Sequence, residues 1–185
     1  MWPFKKRTEQ SEPAPARNAD SEIARFLESW RSRRLKAEDG GLLELTLPSP
    51  TDEQSLGEWE QSRAVSMPRE LRDMLAYANP PGLFGLELLA LDSIDEYGDL
   101  IPFHDWGNGD FDCIGRDGAV VFTNHSPDVQ VEIAPTLLEW LQRVVGEIEQ
   151  TGALRHPGDY RDRPEPGVYA HVLTALEGVD CELNR

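Results

Sequence analysis

Helical and strand periodicities follow one another along this chain in an order that indicates its architecture. From Ser21, the apolar residues Ile23, Phe26, Leu27 and Trp30 fall at i, i+3, i+4 and i+7, one stripe of an amphipathic helix. Arg31, Arg33, Arg34 and Lys36 follow where the negative end of a helix favours cations, and Gly40-Gly41 is the expected break. In "LLELTLP", Leu43, Leu45 and Leu47 alternate with Glu44 and Thr46, a half-buried strand. Thr51-x-x-Gln54 reads as a capping box opening a second helix, with Leu56 and Trp59 inward and its end near Val65. A third helix begins at Pro68, buries Leu71, Met74, Leu75 and Ala78, and is stopped by Asn79-Pro80-Pro81-Gly82.

The middle of the chain changes period. Candidate strands are "LFGLELLAL", "LIPF", "FDCI", "AVVFTN" and "VQVEI", with turn compositions at Gly115-Arg116-Asp117-Gly118 and His125-Ser126-Pro127-Asp128. Connections this short favour antiparallel hairpins, because a parallel return needs a crossover of about a dozen residues. A strong helix follows over "PTLLEWLQRVVGEIEQ", with Leu137, Leu138, Leu141, Val144, Val145 and Ile148 inward. Beyond Gly152, a Pro/Arg/Asp-rich loop leads to a weaker helix around Val168 to Leu176. Helices, then a meandering sheet, then helices define an α+β class: a single domain with a mainly antiparallel, twisted sheet flanked by helices. The expected organisation is a disordered tail over 1–20, a helix-and-strand extension over 21–50, the main α+β domain over 51–150, and a loop-and-helix extension over 151–185.

Composition narrows the function. At 185 residues the chain can bury a core without staples, and two cysteines, Cys113 and Cys181, with no C-x-x-C pair support neither a disulfide framework nor a structural zinc site. No apolar run reaches the ~20 residues of a membrane span, and "MWPFKKRTEQ" has no apolar region after its basic cluster, so a cytoplasmic location is expected. The formal net charge is −16. Residues 1–36 carry nine Lys/Arg against five Asp/Glu, whereas the remainder carries nine against 29, a balance of −20. Such a body repels nucleic acid, attracts a basic protein and also favours solubility.

The ordered set "VSMPRELRDMLAYANPPG", "LFGLELLALDSIDEY", "LIPFHDWGNGDFDCI", "AVVFTNHSPD" and "APTLLEWLQRVV" resembles the SUKH superfamily, whose best-known branch is the Smi/Knr fungal cell-wall regulator family. The elements that carry the resemblance are Met67-Pro68, Asn79 with Gly82, Ile101-Pro102-Phe103, Gly109-Asp110 and the Leu137–Ile148 helix, over roughly Asp52 to Ile148. Met67 stands where leucine is usual, and Pro80-Pro81 interrupt the step from Asn79 to its glycine. The resemblance implies a mixed fold with an antiparallel sheet, no shared catalytic residues and no cofactor. It further implies a protein-binding role, in bacteria commonly as an immunity protein against a secreted, often nuclease, toxin, and elsewhere as a regulatory interaction module.

The densest chemistry is "LIPFHDWGNGDFDCIG", Leu100 to Gly115. Read as a calcium loop from Asn108, the alternation holds through Asp110 and Asp112, but Cys113 stands at the glycine place and Ala119 at the final glutamate place. Zinc would require His104 to be joined by distant residues such as His125. An acid/base pair of Asp110 and Asp112 defines an alternative, a metal-dependent hydrolase, if one carboxyl is buried. Strand alternation favours another arrangement, with Phe111 and Cys113 in the core and both aspartates in water. Gly107-Asn108-Gly109 supplies the backbone freedom for a sharp connection. Trp106, at the start of that turn, reads equally as a lid over the core or as an exposed anchor. The candidate partner-binding residues are Glu87, Asp105, Asp110, Asp112 and Asp128, with Trp106 as the apolar anchor, and the resemblance implies a basic toxin domain as the partner.

Overall fold

In the computed structural model, residues 19–86, 88–95, 98–125, 128–161 and 167–183 are described. Residues 1–18 of the tail expected over 1–20, and Glu87, lie outside them.

Helix α1 (Glu22–Trp30) is capped by Ser21, whose Oγ accepts from the Ala24 N–H at 3.1 Å, and it buries Ile23, Ala24 and Leu27. It ends earlier than its cationic tail indicated. Arg34–Lys36 form strand β1, in which Leu35 points inward between two exposed cations. Strand β1 pairs antiparallel with β2 (Leu42–Thr46), placing Arg34 opposite Glu44 with their charged groups 2.7 Å apart. Gly40, at φ +89°, turns the chain between them. Three residues are too few to display a period, and this strand exists through its partner.

Helix α2 (Glu53–Arg63) begins one residue later than the capping box indicated. Asp52 accepts from the Ser55 N–H at 2.7 Å, whereas Gln54 turns to Glu58 and the Thr51 hydroxyl has no partner among the described residues. Leu56 and Trp59 are inward as expected. Helix α3 (Arg69–Tyr77) follows Pro68 and buries Leu71, Met74, Leu75 and Tyr77.

The run "LFGLELLAL" is not one strand. Gly82–Leu83 form β3 on the edge of β2, and positive φ angles at Phe84 (51°) and Gly85 (89°) then turn the backbone. Leu88 makes an isolated bridge, and a 3₁₀ turn covers Leu91–Ser93.

Four strands then form an antiparallel meander: β4 (Leu100–Asp105), β5 (Phe111–Gly115), β6 (Val120–His125) and β7 (Asp128–Ala134), in that spatial order. Helix α4 (Leu137–Thr151) buries Leu137, Leu141, Val144, Val145 and Ile148, with Trp140 inward and Leu138 only half-buried. A 3₁₀ turn (Pro157–Arg161) leads to α5 (Ala170–Leu183). The fold is a single-domain α+β structure with two antiparallel sheets, of three and four strands, among the described residues.

One hydrophobic cluster runs through all of these layers, from Leu27 of α1 and Leu35 of β1 to Tyr169 and Val172 near the C-terminus. Segments on both sides of the central region thus contribute to its core. They also touch each other: the Glu38 N–H donates to the Gly152 carbonyl at 3.2 Å, and a Cβ on Gly152 (φ +82°) would come within 2.5 Å of the Glu38 nitrogen.

Candidate functional site: two buried aspartates at the hairpin end

The β4–β5 hairpin sets the site. Asp105 opposes Phe111 and His104 opposes Asp112, with a bulge between Pro102 and His104. Gly107 (φ +77°) and Gly109 (φ +92°) supply the left-handed conformations of the connection. Asp105 Oδ1 accepts from the Gly107 N–H at 2.7 Å, and Asn108 Oδ1 accepts from the Asp110 N–H at 3.0 Å.

The solvent-face arrangement expected for the aspartates is overturned: Asp110 is 1% exposed and Asp112 fully buried. The reason lies in the register. Asp112 opposes Phe122 on β6 and shares a face with Ile114, and that face carries core residues. Cys113, on the other face, is buried too, and Phe111 is only half-buried. Burial pushes the Cys113 thiol up to about 12.

A buried carboxylate needs donors, and both aspartates find them from distant elements. Asp112 Oδ2 meets the His104 Nδ1 at 2.6 Å and accepts from the Tyr169 hydroxyl at 2.6 Å; the same hydroxyl accepts from the Trp140 indole N–H at 2.8 Å. Burial, together with the Asp112 charge, holds the Tyr169 phenol well above its ordinary pKa, so it remains a donor. Asp112 Oδ1 has no partner among the described residues.

Asp110 is gripped from three sides. Its Oδ1 accepts from the His125 N–H at 2.9 Å and meets the His125 Nδ1 at 2.7 Å. Its Oδ2 meets the His156 Nε2 at 2.9 Å and accepts from the Asn108 amide at 3.0 Å. Burial pushes this carboxyl's pKa up, but the hydrogen bonds from His125, His156 and Asn108 outweigh it and leave the value below the ordinary one. Trp106 stands among these groups, its ring edge-on to His104 (4.7 Å), His156 (5.1 Å) and Tyr169 (5.2 Å). Its indole nitrogen is buried without a partner among the described residues. It is partly covered, not a free anchor.

Of the expected surface residues, the hairpin brings together Asp105, Trp106, Asp110 and Asp112. Asp128 lies at the same end of the sheet, exposed and paired with His125 across the β6–β7 turn. Asp105 and Asp128 reach solvent; Asp110 and Asp112 do not. His156 and Tyr169 were not singled out from the sequence, since nothing local links them to a hairpin 46 and 57 residues away. The His104–Asp112 pair had a signal: a turn centred on Asn108 puts positions 104 and 112 opposite each other. Among the described residues, no group of three or more His, Cys, Asp or Glu is placed to hold a metal ion, and no helix is long and apolar enough to cross a membrane.

Fold and hairpin together define an α+β module with two buried aspartates at this end, held by histidine, tyrosine and asparagine side chains. The model of the SMI1 / KNR4 family (SUKH-1) matches residues 50–143, just over half of the chain, and the chain belongs to that family. The matched segment contains Asp110, Asp112, Trp106, His104 and His125, while His156 and Tyr169 lie beyond it. No curated protein matches the chain.

Proposed function

We propose that this chain is a non-enzymatic protein-binding module that acts as an immunity protein, neutralising a basic toxin domain by direct contact in the cytoplasm. The observation that carries the reading is the charge: a balance of −20 outside the first 36 residues in a chain of this family. A surface of that sign accelerates encounter with a cationic partner and disfavours nucleic acid. Half-buried Asp105 and exposed Asp128, the carboxylates at this end that reach solvent, are the proposed rim; Asp110 and Asp112 support it from beneath. The hydrolase alternative asks for a buried carboxyl of raised pKa; Asp110 is buried, but its hydrogen bonds occupy both oxygens and hold its pKa below the ordinary value. A regulatory module of the Smi/Knr type would use the same kind of surface with a different partner.

The test is co-purification with the product of the adjacent reading frame, together with rescue of cells that express it. Association that weakens steeply with salt and growth that is restored support the proposal. A pull-down that returns only a housekeeping protein, with no rescue, selects the regulatory reading instead.

A further inference from the structure

The groups around Asp110 amount to a socket with a plug in it. The floor is the carboxylate, held on its Oδ1 side by His125. The walls are the rings of Trp106 and Phe122, whose centroids lie 5.1 and 5.8 Å from that of His156 at steep angles. The plug is the His156 imidazole, which reaches Asp110 Oδ2 through Nε2 and accepts from the Gly158 N–H at 3.1 Å through Nδ1. That acceptor role places the ring proton on Nε2, so the neutral form of the ring fits this pocket. The plug is also reachable: the His156 side chain is 23% exposed, against 2% for Asp110. It stands just ahead of the 3₁₀ turn and next to Arg155, whose guanidinium lies 3.8 Å from the Glu38 carboxylate.

Asp110 has its hydrogen bonds, and two observations bear on what else the socket could take. The ion-pair partners of Asp110 and Asp112 among the described residues are histidines alone, with no guanidinium or ammonium within 4.0 Å of either. In the adjoining cluster, the buried Asp112 Oδ1 and the Trp106 indole N–H remain as an unmet acceptor and an unmet donor.

The geometry points to the Asp110–Trp106–Phe122 socket as a receptor for an arginine side chain of the partner, with His156 as a stopper that the arginine displaces. A guanidinium reproduces what His156 does there: planar N–H groups on a carboxylate, and a flat face or edge against an indole. It also adds the positive charge that the imidazole lacks, and charge-assisted bonds to carboxylates are the stronger ones. The inference rests on the protein-binding reading above and identifies the residue type that the partner would insert.

The experiment uses the full chain and a short probe, acetyl-Gly-Arg-Gly-amide, with its lysine counterpart at equal ionic strength. The Trp106 indole and the His125 amide are followed by heteronuclear NMR in the wild type and in His156→Ala. The arginine probe is expected to shift both signals saturably, at least tenfold more tightly in His156→Ala, with the lysine probe clearly weaker. His156→Gln, which keeps a donor over Asp110, should bind like the wild type. Equal response to both probes, or equal affinity in wild type and His156→Ala, overturns the inference. Hydrogen exchange in the wild type is a second check that needs no variant. Residues 153–161 should exchange well ahead of β5 and β6; exchange in step with them would make the turn part of the core and likewise overturn the stopper. If the probe enters the socket but no cationic partner is recovered from cells, the socket stands and the immunity reading falls. If a partner binds while the probe and His156→Ala change nothing, only the socket falls.

Discussion

Replacing Tyr169 with phenylalanine tests the buried network at its junction. The Tyr169 hydroxyl donates to Asp112 Oδ2 at 2.6 Å and accepts from the Trp140 indole N–H at 2.8 Å, and all three residues are fully buried. Phenylalanine keeps the ring and its edge contacts with Trp106 and Phe122, so the substitution opens little cavity. What it removes is a hydrogen bond to a charged group, worth about 1.5–3 kcal/mol, and it strands an indole N–H at a cost of about 1–3 kcal/mol. Allowing for partial relaxation, the net loss is about 3–4 kcal/mol, which for a chain of this size lowers Tm by roughly 6–16 °C. Urea unfolding followed by tryptophan fluorescence measures it, with the m-value expected to stay constant. A loss below about 1 kcal/mol would refute the reasoning, because it would mean that water or a protonated Asp112 replaces the hydroxyl without penalty. A double-mutant cycle with Asp112→Asn sharpens the point. Strict additivity would show that hydroxyl and carboxylate do not interact.

Three further outcomes follow from the same geometry. Because the folded pKa of Asp110 lies below its unfolded value, its contribution is complete above the unfolded carboxyl range near pH 4 and is lost as the pH falls through the folded value. Asp110→Asn should therefore destabilise the protein by about 1–3 kcal/mol at pH 7, with the gap to wild type narrowing as the pH falls below the ordinary carboxyl range in urea titrations. In a Cys181→Ser background, Cys113 should resist a thiol reagent at pH 8 until the protein is unfolded, given its burial and raised thiol pKa. Two glycine substitutions should differ in sign by calorimetry. Gly146→Ala, inside α4 with nothing within 4 Å of the new carbon, should stabilise by about 1 kcal/mol, and Gly152→Ala should cost at least about 2 kcal/mol.

What the sequence revealed and what it hid divide along the distance over which each feature is decided. The stripes of α1, α3 and α4 and the four strands of the meander are local patterns, and the structure has them at nearly the expected places. Strand β1 is a three-residue segment whose cations read as a helix end, and only pairing with β2 reveals it. In "LFGLELLAL" a leucine-rich run hid left-handed turns at Phe84 and Gly85, because a short apolar run has no period that tells strand from turn. The aspartates were misplaced for a physical reason of the same kind. Carboxylates belong in water unless donors are waiting, and Tyr169 and His156 come from the far end of the chain. Three of the four histidines contact a buried aspartate, a coincidence visible only in three dimensions.

The clasp between Glu38 and Gly152 bears on how the protein is born. The two residues lie on opposite flanks of the matched segment, and a polypeptide cut to residues 50–143 would lack Leu27, Leu35, Val144, Val145, Ile148 and Tyr169, all of them buried here. Such a fragment is expected to be sticky and poorly ordered when expressed alone. On the ribosome, the matched segment emerges before Ile148, Tyr169 and Val172, so its interior is sealed only when those residues follow. The interior of the matched segment thus draws on residues that come both before and after it.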